Sequence, residues 1–327
     1  MRIEVLGDGP PEVAVVGGIH GDEPCGVRAV EHLLASDLSV RRPVAFVVAN
    51  EEAVDRGVRY VEEDLNRAFP PLGVDHDEFA FSNTHEGRLA RRMYDRLEDC
   101  LSLAIHSTRS YPHPFSVVVD PDAEQLDVCA RLPTDLVVDS TAIPDGRFLE
   151  ACPAVEVEAG YQGSQAATDD AIDVARAFLA ATGVIDGPAV PGEKSLFRVR
   201  RPIPKRAGGG YDVFVRNFER VPAGEPFAAV DGELVYAERE FYPVLLSSHG
   251  YRDLFGYEAD RAGTITPEGG IVEDVITPGA AGSAADQSDR PVEGDAPAEG
   301  DVQVEGEATA EKPVASDPND PDGESDD

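Results

Sequence analysis

At 327 residues the chain is long enough for one large domain or two ordinary ones with a substantial core. Its formal net charge of −35 excludes a basic nucleic-acid-binding face, and the lack of any run of 18 apolar residues excludes a conventional membrane-spanning helix. Only three of the 28 cations are lysines (Lys194, Lys205 and Lys312). An acidic, lysine-poor surface of this kind suits a salt-loving microbe, in which dense ions screen self-repulsion. The four cysteines (Cys25, Cys100, Cys129, Cys152) are scattered without a CxxC pair, and the N-terminus reads as a strand rather than a signal peptide. Both features predict a reduced, cytoplasmic protein.

From the N-terminus, "RIEVL" and then "EVAVVGG" (12–18) read as strands, "DEPCGVRAVEHLLAS" (22–36) as an amphipathic helix, and "VAFVVAN" (44–50) as a buried strand. A helix follows at "THEGRLARRMYDRLED" (84–99), then strands at "LSLAIHS" (101–107), "FSVVVD" (115–120) and "AVEVEAG" (154–160), and a helix at "DDAIDVARAFLAATG" (169–183). This alternation predicts an α/β fold: a mixed, largely parallel sheet flanked by helices over residues 1–188. Residues 189–276 carry short alternating runs ("SLFRVRRPI", "YDVFVRNF", "PFAAV", "ELVYAER") broken by Gly and Pro, and read as a smaller, mainly β domain. Residues 277–327 are rich in Ala, Gly, Pro, Ser and acid with no aromatic residue, the composition of a disordered acidic tail.

The first candidate site is "GGIHGDEPCG". His20 sits at the carboxyl end of a strand, where open α/β sheets collect ligands. Flanking glycines allow a sharp turn, and an H-x-x-E spacing there can aim His20 and Glu23 at one cation. The competing reading is ordinary: an acid at a helix start that complements the dipole. His106 alone among the other histidines ends an apolar strand, "LSLAIHST", and so emerges on the same sheet edge. "RYVEEDLNRAF" gathers Arg59, Asn66 and Arg67 within nine residues, a donor set suited to a carboxylate. In "AVEVEAGYQG", Glu156 and Glu158 share one strand face. That face is either solvated or functional, and Glu158, last before the turn, is the better general base.

Taken together, "GGIHGDE", "RYVEEDLNRAF", "IHST", "VEVEAGYQG" and "YPVLLSSHGYRD" resemble the succinylglutamate desuccinylase and aspartoacylase family, zinc amidohydrolases with a metallocarboxypeptidase-like fold. The resemblance implies one Zn2+ per chain on His20, Glu23 and His106, with Glu158 as general base and Arg59 stabilising the oxyanion. It implies that Asn66 and Arg67 hold a substrate carboxylate and that Tyr251 reaches the substrate from the C-terminal domain. Two positions depart from the family pattern. Ala104 stands where an acid usually orients the second histidine, and Phe148 stands at an expected arginine, leaving the adjacent Arg147 for a second substrate carboxylate.

The expected partner is a small N-acyl amino acid, with no nucleic acid and no membrane, and homo-oligomer formation is left open. The implied reaction is hydrolysis of the amide to a carboxylic acid and a free amine. The competing functions are a zinc carboxypeptidase acting on peptides and a non-catalytic metal- or carboxylate-binding relative.

Overall fold

The structure is a computed structural model that describes residues 1–206, 208–250 and 253–274. The tail expected over 277–327 and the candidate Tyr251 lie outside the described residues. Strand β1 (Arg2–Leu6) is followed by β2 (Val13–Gly17), helix α1 (Pro24–Leu34), β3 (Val44–Val48), α2 (Glu51–Arg56) and α3 (His85–Leu97). Next come β4 (Leu101–Thr108), β5 (Phe115–Val118), α4 (Ala123–Arg131), β6 (Leu136–Asp139), α5 (Phe148–Ala151), β7 (Ala154–Tyr161) and α6 (Gln165–Ala181). The remaining elements are strands: β8 (Lys194–Pro204), β9 (Tyr211–Val213), β10 (Pro226–Val230), β11 (Glu233–Tyr236), β12 (Tyr242–Val244), β13 (Leu254–Ile265) and β14 (Ile271–Glu273).

The main sheet has the order β1-β3-β2-β4-β7-β5-β6-β8-β13-β12, with β14 paired to β13. Its centre is parallel: β2 pairs with β3 and β4, and β4 with β7. The sheet changes direction where β5 joins β7 antiparallel. Each strand expected over residues 1–188 is present, and so are the helices. The predicted mixed, largely parallel sheet is therefore the observed one.

Strands β2, β3 and β4 are buried on both faces, which is why their sequences are nearly continuous apolar runs rather than alternating ones. Val13, Val15, Leu103, Ile105, Val155 and Val157 pack under α1 and α6, with Val30, Leu33 and Phe178 among the helical contributions. Ala14, Val16, Ala104 and Ala154 face the opposite layer, which contains Leu65, Phe69, Leu89, Met93 and Phe148. The described residues after 188 continue the main sheet through β8, β13 and β12. They also form a separate sheet of order β11-β10-β9, with an apolar cluster around Phe227, Phe241 and Phe255.

Two close approaches fix the geometry around β2. A Cβ at Gly17 would lie 2.3 Å from the carbonyl carbon of Gly26, and one at Gly21 would lie 2.1 Å from that of Ala53. No side chain fits at either place, so the end of β2 and the turn after it lie directly against the backbones of α1 and α2. Gly18, at φ +70°, makes the left-handed step between strand and turn.

Candidate metal centre and active-site cleft

Parallel strands β2, β4 and β7 end at one edge of the sheet, and three candidate groups emerge there. His20 lies three residues past β2, Glu23 occupies the N-cap of α1, and His106 lies within β4. Glu23 makes no side-chain capping hydrogen bond. Its carboxylate instead faces the histidines, with Oε1 2.9 Å from His20 Nδ1 and Oε2 3.0 Å from His106 Nδ1. The two Nδ1 atoms are 3.1 Å apart. All three side chains are buried, and one ligand atom from each falls within a group spanning at most 4.8 Å. Two nitrogens and a carboxylate converging in this way form a donor set for a divalent metal, with an N/O composition that suits zinc. Glu23 thus turns its carboxylate to the two histidines rather than to the first amides of α1.

The electrostatics favour a cation at this point. Burial pushes the Glu23 carboxyl up, but the charges and hydrogen bonds of His20 and His106 outweigh burial and hold it well below the usual range. Burial pushes His106 down, but Glu156 and Glu23 outweigh that and hold its imidazolium up to about 9. A field that retains a proton this firmly also favours a metal ion in its place. Cys25 donates to the His106 carbonyl at 3.4 Å, and burial pushes its thiol up to about 12, so it packs rather than ligates.

The outer face of His20 also has a partner. His20 Nε2 lies 3.0 Å from Asp64 Oδ1. Asp64 also accepts from Arg59 Nε at 3.0 Å and from the Asn66 amide at 2.9 Å. Burial pushes Asp64 up, but His20, Arg59 and Arg67 outweigh it and hold its carboxyl far below the ordinary range. Arg59 Nη1 reaches Glu23 Oε1 at 3.1 Å, so the guanidinium bridges two carboxylates beside the metal position.

The segment carrying Arg59 and Asp64 is anchored by a residue that sequence reasoning missed. Glu86, in the first turn of α3 and fully buried, accepts from the amides of Val61, Glu62 and Glu63 and from Asn50 Nδ2. An acid at a helix start is so ordinary that the sequence gives no sign of this role. Asp64 has a faint signal, since it stands two residues before Asn66 in the same polar run.

Glu158 pairs with His106 across β4 and β7. It is 6% exposed, and its Oε2 has no hydrogen-bond partner among the described residues. Burial first, then the nearby Glu23 and Glu156 charges, push its carboxyl up to about 8 against the opposing pull of His106 and Arg59. The Glu156/Glu158 face is buried rather than solvated. Glu158 lines an outer cavity of about 270 Å³ together with Glu23, Arg59, Asp64, Ser247 and Gly250. It also lines an inner cavity of about 40 Å³, walled by Asn66, Arg67, Phe115, Val138, Arg147 and Tyr257 among others.

Asn66 and Arg67 thus face the inner space behind Glu158. Asn66 accepts from the Phe148 amide at 2.9 Å and donates to Glu156 Oε2 at 3.4 Å. Arg67 pairs with Asp145 at 2.6 Å. Arg147 also reaches this wall, but its guanidinium donates to Glu150 Oε1, Ser140 Oγ and the carbonyls of Ser140 and Ile143. Holding a second substrate carboxylate would require it to surrender part of that network.

No helix among the described residues is long and apolar enough to cross a membrane. Residues 10–179, just over half of the chain, match the family described as the succinylglutamate desuccinylase/aspartoacylase catalytic domain. An N-acyl-aromatic-L-amino acid amidohydrolase (carboxylate-forming) of Xenopus tropicalis is 27% identical over 278 residues, spanning 73% of this chain and 89% of that protein. The succinylglutamate desuccinylase structure from Vibrio cholerae superposes with a TM-score of 0.62 at 19% identity, covering 81% of this chain and 85% of that one. Murine aminoacylase 3 superposes with a TM-score of 0.60 at 20% identity, covering 78% and 96% respectively. These two likenesses establish a shared fold. By fold, sequence match and site together, the chain belongs to the succinylglutamate desuccinylase/aspartoacylase family of amidohydrolases.

Proposed function

We propose that this chain hydrolyses the amide bond of N-acyl amino acids, using one zinc ion held by His20, Glu23 and His106. The observation that carries the reading is the convergence of those three ligands beside the buried, unpartnered carboxylate of Glu158 in a single cleft. When bound, zinc supplies Lewis acidity that polarises the amide carbonyl and makes water acidic enough to attack near neutral pH.

The chain's own groups supply the rest. Glu158 takes a proton from the attacking water and delivers it to the amine nitrogen as the C–N bond breaks, leaving a carboxylic acid and a free amine. A carboxyl held near neutrality by burial is suited to both transfers. Arg59, fixed by Asp64 and Glu23, places positive charge in the cleft wall to stabilise the oxyanion. Arg67 and one amide hydrogen of Asn66 hold the carboxylate of the amino-acid part.

Leu245, Ser247 and Gly250 line the outer cavity, so the C-terminal segment narrows the cleft. That narrowing supports a small acylated amino acid over a peptide. The Xenopus relative, named for N-acyl-aromatic substrates, supports the same chemistry.

The test is a panel of N-acetyl-phenylalanine, N-acetylaspartate, N-succinylglutamate and C-terminally varied peptides, assayed with zinc in concentrated salt. Release of one free amine per acid from an N-acyl amino acid is expected. Cleavage confined to peptides would replace this reading with a carboxypeptidase, and no cleavage of any substrate by zinc-loaded protein would end it.

A further inference from the structure

His106 has two faces. Its Nδ1 points at Glu23 and His20, while its Nε2 is buried with no hydrogen-bond partner within normal reach among the described residues. The carboxylate facing that nitrogen is Glu156, whose Oε2 lies 3.5 Å away. An imidazole that gives its Nδ1 lone pair to a metal must carry its proton on Nε2, and a buried N–H without an acceptor is costly. Resting on the zinc reading above, we propose that Glu156 is the residue that orients His106 for metal binding.

Sheet register explains how a residue 50 positions away can do this. Ala104 and Glu156 are direct neighbours in the parallel β4–β7 pair, and His106 and Glu158 are the next pair along the same face. Glu156 is thus the diagonal neighbour of His106, a separation that a long side chain spans. Ala104, two residues before His106 on its own strand, contributes only a buried methyl group to that face and offers no acceptor. The acid that would normally rise from position 104 is supplied from the adjoining strand instead.

The same register separates the work of the two glutamates. Glu156 Oε2 is turned inward to His106 and to Asn66 Nδ2, the latter at 3.4 Å. Glu158, one pair further along, keeps Oε2 without a protein partner and lines both cavities. Glu156 lines the inner cavity but not the outer one, and its contact with His106 makes it a positioning residue that acts through the histidine.

The experiment measures zinc affinity by chelator competition in four proteins: the parent, Glu156→Gln, Glu156→Ala, and Glu156→Ala combined with Ala104→Asp. Thermal unfolding of each metal-free protein monitors folding. Removing an outer partner of a metal-binding histidine is expected to weaken zinc binding about 10- to 100-fold in Glu156→Ala. Glu156→Gln, which keeps an acceptor oxygen, is expected to lose less, and Ala104→Asp is expected to recover most of the loss by returning a carboxylate to His106 from its own strand. A folded Glu156→Ala protein that binds zinc as tightly as the parent overturns the role. So does weakened binding that Ala104→Asp fails to restore, since a merely structural defect would behave that way. A parent that binds no zinc defeats the underlying metal reading, an outcome read from a different sample.

Discussion

His20 Nε2 and Asp64 Oδ1 lie 3.0 Å apart although 44 residues of chain separate them. The contact makes Asp64 both the outer partner of one proposed ligand and the anchor of Arg59. Asp64→Ala is expected to weaken zinc binding about 10- to 100-fold and also to raise KM or lower kcat through a loosened Arg59. Chelator competition and steady-state kinetics on the same sample check the two effects. Unchanged zinc affinity would show that the contact is incidental.

Glu158→Gln preserves shape and removes the proton acceptor. Zinc should remain at one per chain while turnover falls about 10²- to 10⁴-fold, the range for loss of a general base. Metal analysis beside the rate assay separates the two. Turnover within a few-fold of the parent would assign the proton transfer elsewhere.

Glu86 and Glu150 are internal carboxylates that hold loops through backbone amides. Glu150 accepts from Leu72, Asp145 and Gly146 as well as from Arg147. Burial opposes their ionisation, yet the converging donors outweigh it and depress both carboxyls below 4.5. A depressed folded-state value means that the stabilisation is present above about pH 4.5 and is lost as pH falls through the lower, folded value. Urea midpoints should therefore drop on acidification, and Glu86→Gln should flatten part of that slope. The same variant should speed hydrogen exchange at the amides of Val61, Glu62 and Glu63. A slope identical to the parent's would remove Glu86 from the account.

Arg147 and Glu150 form a nearly enclosed ion pair, with side chains 11% and 0% exposed. Arg147→Ala strands the Glu150 charge and should cost about 3 kcal/mol of stability in urea unfolding. The ratio of turnover between N-acetylaspartate and N-acetyl-phenylalanine should change little. Intact stability with a selective loss of the acidic substrate would instead make Arg147 a substrate contact.

The parallel core and the three proposed ligands were legible because buried parallel strands announce themselves as apolar runs, and a polar residue ending such a run stands out. His20 and His106 stand out in this way. Asp64 and Glu86 do not, because their neighbours are equally polar and their roles depend on which loop folds over them. Glu158 was favoured as the base from its place at the strand end, but the contact of Glu156 with His106 depends on cross-strand register, which no single strand's sequence contains. The placement of residues 194–204 in the main sheet was likewise hidden, since alternation marks a strand without naming its neighbour.

The bare contacts of Gly17 with Gly26 and of Gly21 with Ala53 leave no padding beneath His20 and Glu23. These two side chains ride on a seam of main chain that can be neither widened nor tilted without re-laying two helices. Attempts to retune the metal preference by resizing that turn should yield insoluble protein.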